Sequence, residues 1–302
     1  NKDYKLIGAF NHTSYCTNFK KKRMKMTKAT WLGLGVMGHP MAGYLSKFPG
    51  LDLTVYNRTA SKVEGWQNEY GGSTAPSPTE AGEEAEFVFS CVGNDDDLRQ
   101  VTFGETGAFH SMPKGAVFVD HSTTSANVAR EVSAKASEMG LHFLDAPVTG
   151  GQKGAENGQL SIMVGGDANA FQRAEPLIST YSKAVKHMGP SGAGQQTKMV
   201  NQIAIAGVVQ GLSEAINFAQ SNNLNIPDVL SVISKGAAQS WQMENSGQHM
   251  ADRFFDFGFA VDWMRKDLNI CIAEAKATNS PLPIATLVES YLGELSEKGR
   301  GR

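Results

Sequence analysis

Short, nearly continuous apolar runs alternate with helical patterns through the first two thirds of the chain, and past residue 194 the short runs stop. Runs at 29–34, 51–56, 86–92, 116–120, 142–145 and 161–165 have the length and flanking turn residues of strands. Segments 37–48, 61–70, 79–82, 125–139 and 168–179 carry helical spacing. Strand and helix in alternation predict a doubly wound, mostly parallel sheet. Beyond it only helices are expected: a long one to residue 222, then 226–235, 241–250, 262–278 and 283–297, with breaks at 224–227 and 279–283. The expected architecture is an α/β domain over 29–191 followed by an all-α domain over 192–302, joined by one long interdomain helix.

Residues 1–28 do not fit this pattern. They lack a repeating apolar period and carry the basic run Lys20, Lys21, Lys22 and Arg23, so they are expected to form an extraneous or disordered tail outside the fold. A segment poor in Ser and Arg that contains Asp3 is a poor transit sequence.

The first expected strand runs into the loop Gly33, Leu34, Gly35, Val36, Met37, Gly38. Gly33 suits a tight turn, Gly35 lets the main chain approach a diphosphate without a Cβ, and Gly38 lets the next helix pack close to the strand. The helix N-terminus then offers free N–H groups and the positive end of its dipole to the anion. Such a loop alone also suits an α/β protein of another kind. In NAD-type sites a carboxylate stands about 20 residues on, where it accepts from the adenosine ribose 2′-hydroxyl. Here that position reads Asn57, Arg58, Thr59. The planar fork of Arg58 suits a 2′-phosphate, and Asn57 and Thr59 can donate to it, so NADP(H) is expected in preference to NAD(H). The plain alternative is a solvated surface arginine.

Composition narrows the partners. Lys plus Arg is 28 and Asp plus Glu 30, a net charge of -2 with no electrostatic footprint for nucleic acid. Cys16, Cys91 and Cys271 lack the spacing of a disulfide framework or zinc site, and the seven histidines lack ligand spacing, so no metal is expected and a cytoplasmic setting is. The apolar stretch 199–219 contains Asn201, Gln202, Gln210, Glu214 and Asn217, which argues against a membrane span. Asp95, Asp96 and Asp97 are read as a helix cap, Trp31 as core, and Trp241 as a candidate cleft wall.

Two further motifs carry chemistry: 145–151 reads DAPVTGG and 189–202 reads GPSGAGQQTKMVNQ. Together with the glycine loop, and in this order, they resemble the β-hydroxyacid dehydrogenase family, which includes 3-hydroxyisobutyrate dehydrogenase, tartronate semialdehyde reductase and plant-type glyoxylate/succinic semialdehyde reductases. The resemblance runs from residue 29 onward and implies a Rossmann-type dinucleotide-binding domain before the helical one. It implies that Lys198 is the catalytic lysine and that Asn201 and Gln202, at i+3 and i+4 on the same helix face, work beside it. Which of the two amides orients the substrate stays open.

The resemblance further implies that Thr149, Gly150 and Gly151 receive the substrate carboxylate, and that Thr123 lies between nicotinamide and substrate. It places Val92, Phe259 and Lys266 at the cofactor and Asp267 near the lysine, the last two having a plain helix-surface pair as alternative. Self-association as a homodimer or homotetramer is expected on the same ground. The implied activity is NADPH-dependent reduction of a small aldehyde or 2-oxo acid bearing a carboxylate: succinic, tartronic or methylmalonic semialdehyde, or glyoxylate. The alternatives are an NAD(P)-dependent 3-hydroxyisobutyrate dehydrogenase working oxidatively, and a catalytically silent dinucleotide-binding interaction protein. Imine reductases share the architecture but typically lack the lysine that Lys198 supplies.

Overall fold

A computed structural model describes residues 26–255 and 259–302. The chain begins with β1 (Thr27–Leu32), α1 (Gly38–Leu45), β2 (Leu51–Tyr56), α2 (Ala60–Tyr70), β3 (Ser73–Thr74) and α3 (Pro78–Gly82). It continues through β4 (Phe87–Ser90), α4 (Asp95–Phe103), β5 (Val117–Asp120), α5 (Ala126–Glu138), β6 (His142–Asp145), β7 (Val148–Thr149), α6 (Gly151–Glu156), β8 (Leu160–Gly166), α7 (Ala168–Ile178) and β9 (Ser182–Gly189). The helices α8 (Ala193–Ser221), α9 (Ile226–Ile233), α10 (Trp241–Ala251), α11 (Val261–Thr278) and α12 (Pro283–Glu297) follow.

The strands form one sheet in the order β3-β2-β1-β4-β5-β6-β8-β7, with β9 paired to β8. Pairing is parallel from β3 to β6, β8 runs antiparallel to β6 and β7, and β9 is parallel to β8. Strand order reverses between β1 and β4, and the crevice at such a reversal, past the carboxyl ends of the strands, is where doubly wound sheets bind ligands. Neighbouring residues on each central strand bury themselves on opposite faces. Trp31, Phe89, Val119 and Leu144 join one core cluster, and Leu32, Val88, Phe118 and Phe143 the other. Helices cover both faces, which is why these strands read as continuous apolar runs.

Several elements depart from the sequence reading. β1 starts at Thr27, paired with Leu51, so Thr27 and Lys28 belong to the sheet and not to the tail. The cap of α4 is Asn94, whose Oδ1 accepts from the Asp97 N–H at 2.9 Å, and Asp95, Asp96 and Asp97 occupy the first turn instead. β9 was not expected. It alternates between half-buried and exposed positions at the sheet edge and carries Lys183 and Lys186, so its apolar signal is thin. Trp31 is fully buried, while Trp241 opens α10 and is largely exposed.

The helical part is built on α8, which packs against β8, α10, α11 and α12. Its second half is held by Ala206 with Met264, Leu268, Ala285 and Val288, and by Leu212 and Ile216 with Met243. By length and composition α8 could cross a membrane; one side of it packs on the sheet and on three helices, while Val200, Val208 and Phe218 on it are exposed.

Candidate active site

The glycine loop has the shape its sequence suggests, and each glycine has a separate reason. Gly33 sits at φ +98°, and a Cβ there would strike the Cys91 carbonyl oxygen. A Cβ on Gly38 would strike the Gly33 carbonyl oxygen and lie 3.0 Å from Trp31 Nε1. Gly35 has nothing within 4 Å of the position a Cβ would take, so the loop faces open space there. That combination, tight behind and empty in front, fits a dinucleotide diphosphate. Leu34 turns its side chain into the core, Met37 packs against it, and Val36 is exposed.

At the end of β2, Asn57 accepts from the Leu34 N–H at 2.9 Å through Oδ1 and donates to the Thr59 carbonyl at 3.3 Å, so it braces the glycine loop. Thr59 stands at the N-terminal boundary of α2 and makes no side-chain cap. Arg58 is 70% exposed and pairs with Asp97 Oδ1 at 3.0 Å. After β4, the Val92 N–H donates to Ser122 Oγ at 2.8 Å, which ties that loop to the one after β5. Lys266, on α11, donates to the Thr123 carbonyl at 2.6 Å and the Gly93 carbonyl at 3.1 Å. One ammonium thus joins the helical domain to both loops. Phe259 is exposed ahead of α11.

The lysine lies where β6, β7 and α8 meet. Lys198 is 8% exposed, and its Nζ donates to the Val148 carbonyl at 2.8 Å. Burial lowers its pKa to about 8; the Asp267 carboxylate opposes that shift and the Lys266 charge adds to it. One turn further along α8, Gln202 Nε2 donates to Asp267 Oδ2 at 2.7 Å, and Asn201 Nδ2 donates to Gln202 Oε1 at 2.8 Å. Asp267 is 3% exposed, 3.2 Å from the Lys266 ammonium, and burial raises its pKa against the pull of Lys266 and Lys198. Next to Val148, Thr149 is half-buried, and Gly150 and Gly151 both have positive φ, +127° and +63°, at the start of α6.

Sequence reasoning missed the groups that seat α8. Asp145 accepts from the N–H groups of Gly192 at 2.7 Å and Gln195 at 2.9 Å. Gln195, fully buried, accepts from the Thr124 N–H at 3.2 Å and donates to the Ser122 carbonyl at 2.8 Å. Asp120 accepts from Ser90 and Ser122 hydroxyls at 2.7 Å and 2.6 Å. Asp145 and Gln195 lie inside the two motifs, but nothing local says that Asp145 meets the start of α8 or that the Gln195 side chain meets the loop after β5.

Residues 28–189 match the family described as the NAD binding domain of 6-phosphogluconate dehydrogenase, and residues 192–302 match the NAD-binding family of NADP-dependent 3-hydroxyisobutyrate dehydrogenase. An uncharacterized oxidoreductase of Shewanella frigidimarina is 56% identical over 270 residues, 89% of this chain and 92% of that protein. The 2-hydroxy-3-oxopropionate reductase of Escherichia coli is 35% identical over 272 residues, 90% of this chain and 92% of that protein. This chain belongs to the β-hydroxyacid dehydrogenase family. A crystal structure of 3-hydroxyisobutyrate dehydrogenase from Salmonella typhimurium superposes with a TM-score of 0.82 at 29% identity, over 91% of this chain and 95% of that one. Members of the family are NAD(P)-dependent oxidoreductases acting on hydroxyl or aldehyde groups, and so is this protein.

Proposed function

We propose that the protein is an NADPH-dependent reductase of small aldehydes or 2-oxo acids that carry a carboxylate. The observation that carries this reading is Lys198: a nearly buried ammonium, its pKa brought down to about 8, held beside the turn of Thr149, Gly150 and Gly151. We assign residues 29–191 to dinucleotide binding and 192–302, α8 included, to substrate binding and self-association.

In this reading Gly33 to Gly38 would hold the diphosphate, Arg58 would hold the 2′-phosphate, and the loops at Val92 and Thr123 would hold the nicotinamide. The reduced nicotinamide, when bound, supplies a hydride to the carbonyl carbon. Thr149 and the N–H groups of Gly150 and Gly151 hold the substrate carboxylate. Negative charge then grows on the carbonyl oxygen, where Lys198 stabilises it and delivers the proton. A group with a pKa of about 8 is mostly protonated at neutral pH yet gives up its proton readily. Asp267 fixes Gln202, and Gln202 fixes Asn201, so the amides one turn beyond Lys198 are held in place. The same lysine, deprotonated, accepts the hydroxyl proton when a 3-hydroxy acid is oxidised, which keeps the 3-hydroxyisobutyrate dehydrogenase reading as the alternative.

A panel of succinic, tartronic and methylmalonic semialdehyde and glyoxylate, assayed by loss of nicotinamide absorbance, tests the substrate class. Lys198→Ala is expected to lower turnover by about 10²-fold or more; activity within a few-fold of wild type overturns the assignment. Arg58→Ala is expected to cost about 1 to 3 kcal/mol in NADPH use with little change for NADH.

We also propose that a second copy covers the exposed apolar side of α12. Ile284, Leu287 and Tyr291, spaced i, i+3 and i+7, are exposed along it. Light scattering on wild type and Leu287→Asp tests this: a dimer or tetramer that dissociates in the variant supports it, and a monomeric wild type overturns it.

A further inference from the structure

Three carboxylates open α4, and each has a different tie. Asp95 accepts from the Ser125 N–H at 2.9 Å and from its hydroxyl at 2.5 Å, which fixes the start of α5. Asp96 pairs within its own helix with Arg99 at 2.9 Å. Asp97 reaches outward to Arg58 at 3.0 Å. Because β2 and β4 flank β1, a bridge between their carboxyl ends passes across the end of β1, where the glycine loop rises.

The two partners are held unequally. Arg58 is 70% exposed, whereas Asp97 is 18% exposed and sits close over Gly93: a Cβ added at Gly93 would lie 2.7 Å from Asp97 Oδ2 and 3.5 Å from the Trp263 ring. The carboxylate is therefore the fixed member of the pair. No acidic residue ends β2, but α4 brings one to within 3.0 Å of Arg58, just past the end of that strand. We propose that Asp97 sets the discrimination between the two nicotinamide dinucleotides: it holds Arg58 in the free protein, opposes the 2′-phosphate of NADPH, and serves the bare ribose hydroxyl of NADH. This rests on the assignment of Arg58 to the 2′-phosphate.

The physical basis is competition for one guanidinium. A phosphate monoester carries nearly two negative charges at neutral pH, and placing it on a fork already engaged by a carboxylate sets like charges side by side. NADH brings only a hydroxyl, which can donate to that carboxylate. Asp97 thus narrows the preference that Arg58 alone would create.

Dissociation constants for NADPH and NADH, measured by titration calorimetry on the whole protein and its Asp97→Asn variant, test this. Asp97→Asn is expected to raise the NADH-to-NADPH ratio of dissociation constants by about fivefold, with a smaller change in high salt. The control Asp96→Asn, whose partner is Arg99, is expected to leave the ratio as it is. An unchanged or lowered ratio in Asp97→Asn, while Arg58→Ala weakens NADPH binding, overturns the role of Asp97 alone. If Arg58→Ala leaves NADPH binding intact, the underlying assignment of Arg58 fails instead.

Discussion

The carboxylate of Asp145, at the end of β6, accepts the backbone N–H of Gly192 at 2.7 Å. The N-terminal boundary of α8 falls at Gly192, which has no side chain to cap the helix, so Asp145 supplies the cap from another element, taking the Gln195 N–H as well. Three residues after Asp145, the Val148 carbonyl holds Lys198. One turn of chain therefore grips both the start of α8 and the lysine on it. Asp145→Ala is expected to lower stability by about 1 to 3 kcal/mol, because it strands buried N–H groups. Asp145→Asn, which keeps one acceptor, is expected to recover part of the loss in a denaturant titration. Equal stability of wild type and Asp145→Ala would refute the cap.

With Lys198 as the proposed proton donor, the two directions of reaction are expected to respond oppositely to pH. Reduction needs the protonated ammonium, so kcat/KM is expected to fall as pH rises through about 8, whereas oxidation of a hydroxy acid is expected to rise through the same range. The negative charge of Asp267 holds the lysine pKa up, so Asp267→Asn is expected to move both limbs toward lower pH. Paired pH profiles of wild type and variant check this, and limbs that stay in place would remove Asp267 from the electrostatics of the site.

Asp120 and His121 pull stability in opposite directions. Burial lifts Asp120 to about 7, so its contribution is present below its unfolded value of 3.8 and is lost as pH rises through about 7. Burial lowers His121 to about 4, so its contribution is present above its unfolded value of 6.5 and is lost as pH falls through about 4. Asp120→Asn removes the first effect and leaves the second. Relative to wild type, its Tm is expected to fall more on acidification from about pH 6.5 to about pH 4. Parallel Tm curves for the two proteins would contradict this.

Gly33 and Gly35 separate folding from binding. Gly33→Ala forces a Cβ against the Cys91 carbonyl at a positive φ and is expected to lower the Tm. Gly35→Ala meets nothing in the protein and is expected to keep the Tm while weakening both nicotinamide dinucleotides several-fold. Thermal melts with and without cofactor distinguish the two, and equal cofactor binding in Gly35→Ala would move the diphosphate off this loop.

Local spacing made much of this legible. The buried runs of β1, β4 and β5, the turn at Gly33 and the shared face of Lys198, Asn201 and Gln202 are each written within a few residues. β9 was not, because an edge strand with lysines buries too little to leave an alternating signal. The sequence by itself determined the strand and helix alternation and the bare backbone at Gly35, since these follow from period and side-chain size, while Lys198 stood out only through the motifs that resemble the family. Only the tertiary structure decided that Asp145 caps α8, that Asp267 fixes Gln202 and that Asp97 meets Arg58. Such pairings depend on which strand ends and which helix faces lie side by side, and these are set by burial across the whole sheet and between the helices, which brings together residues that the chain keeps far apart.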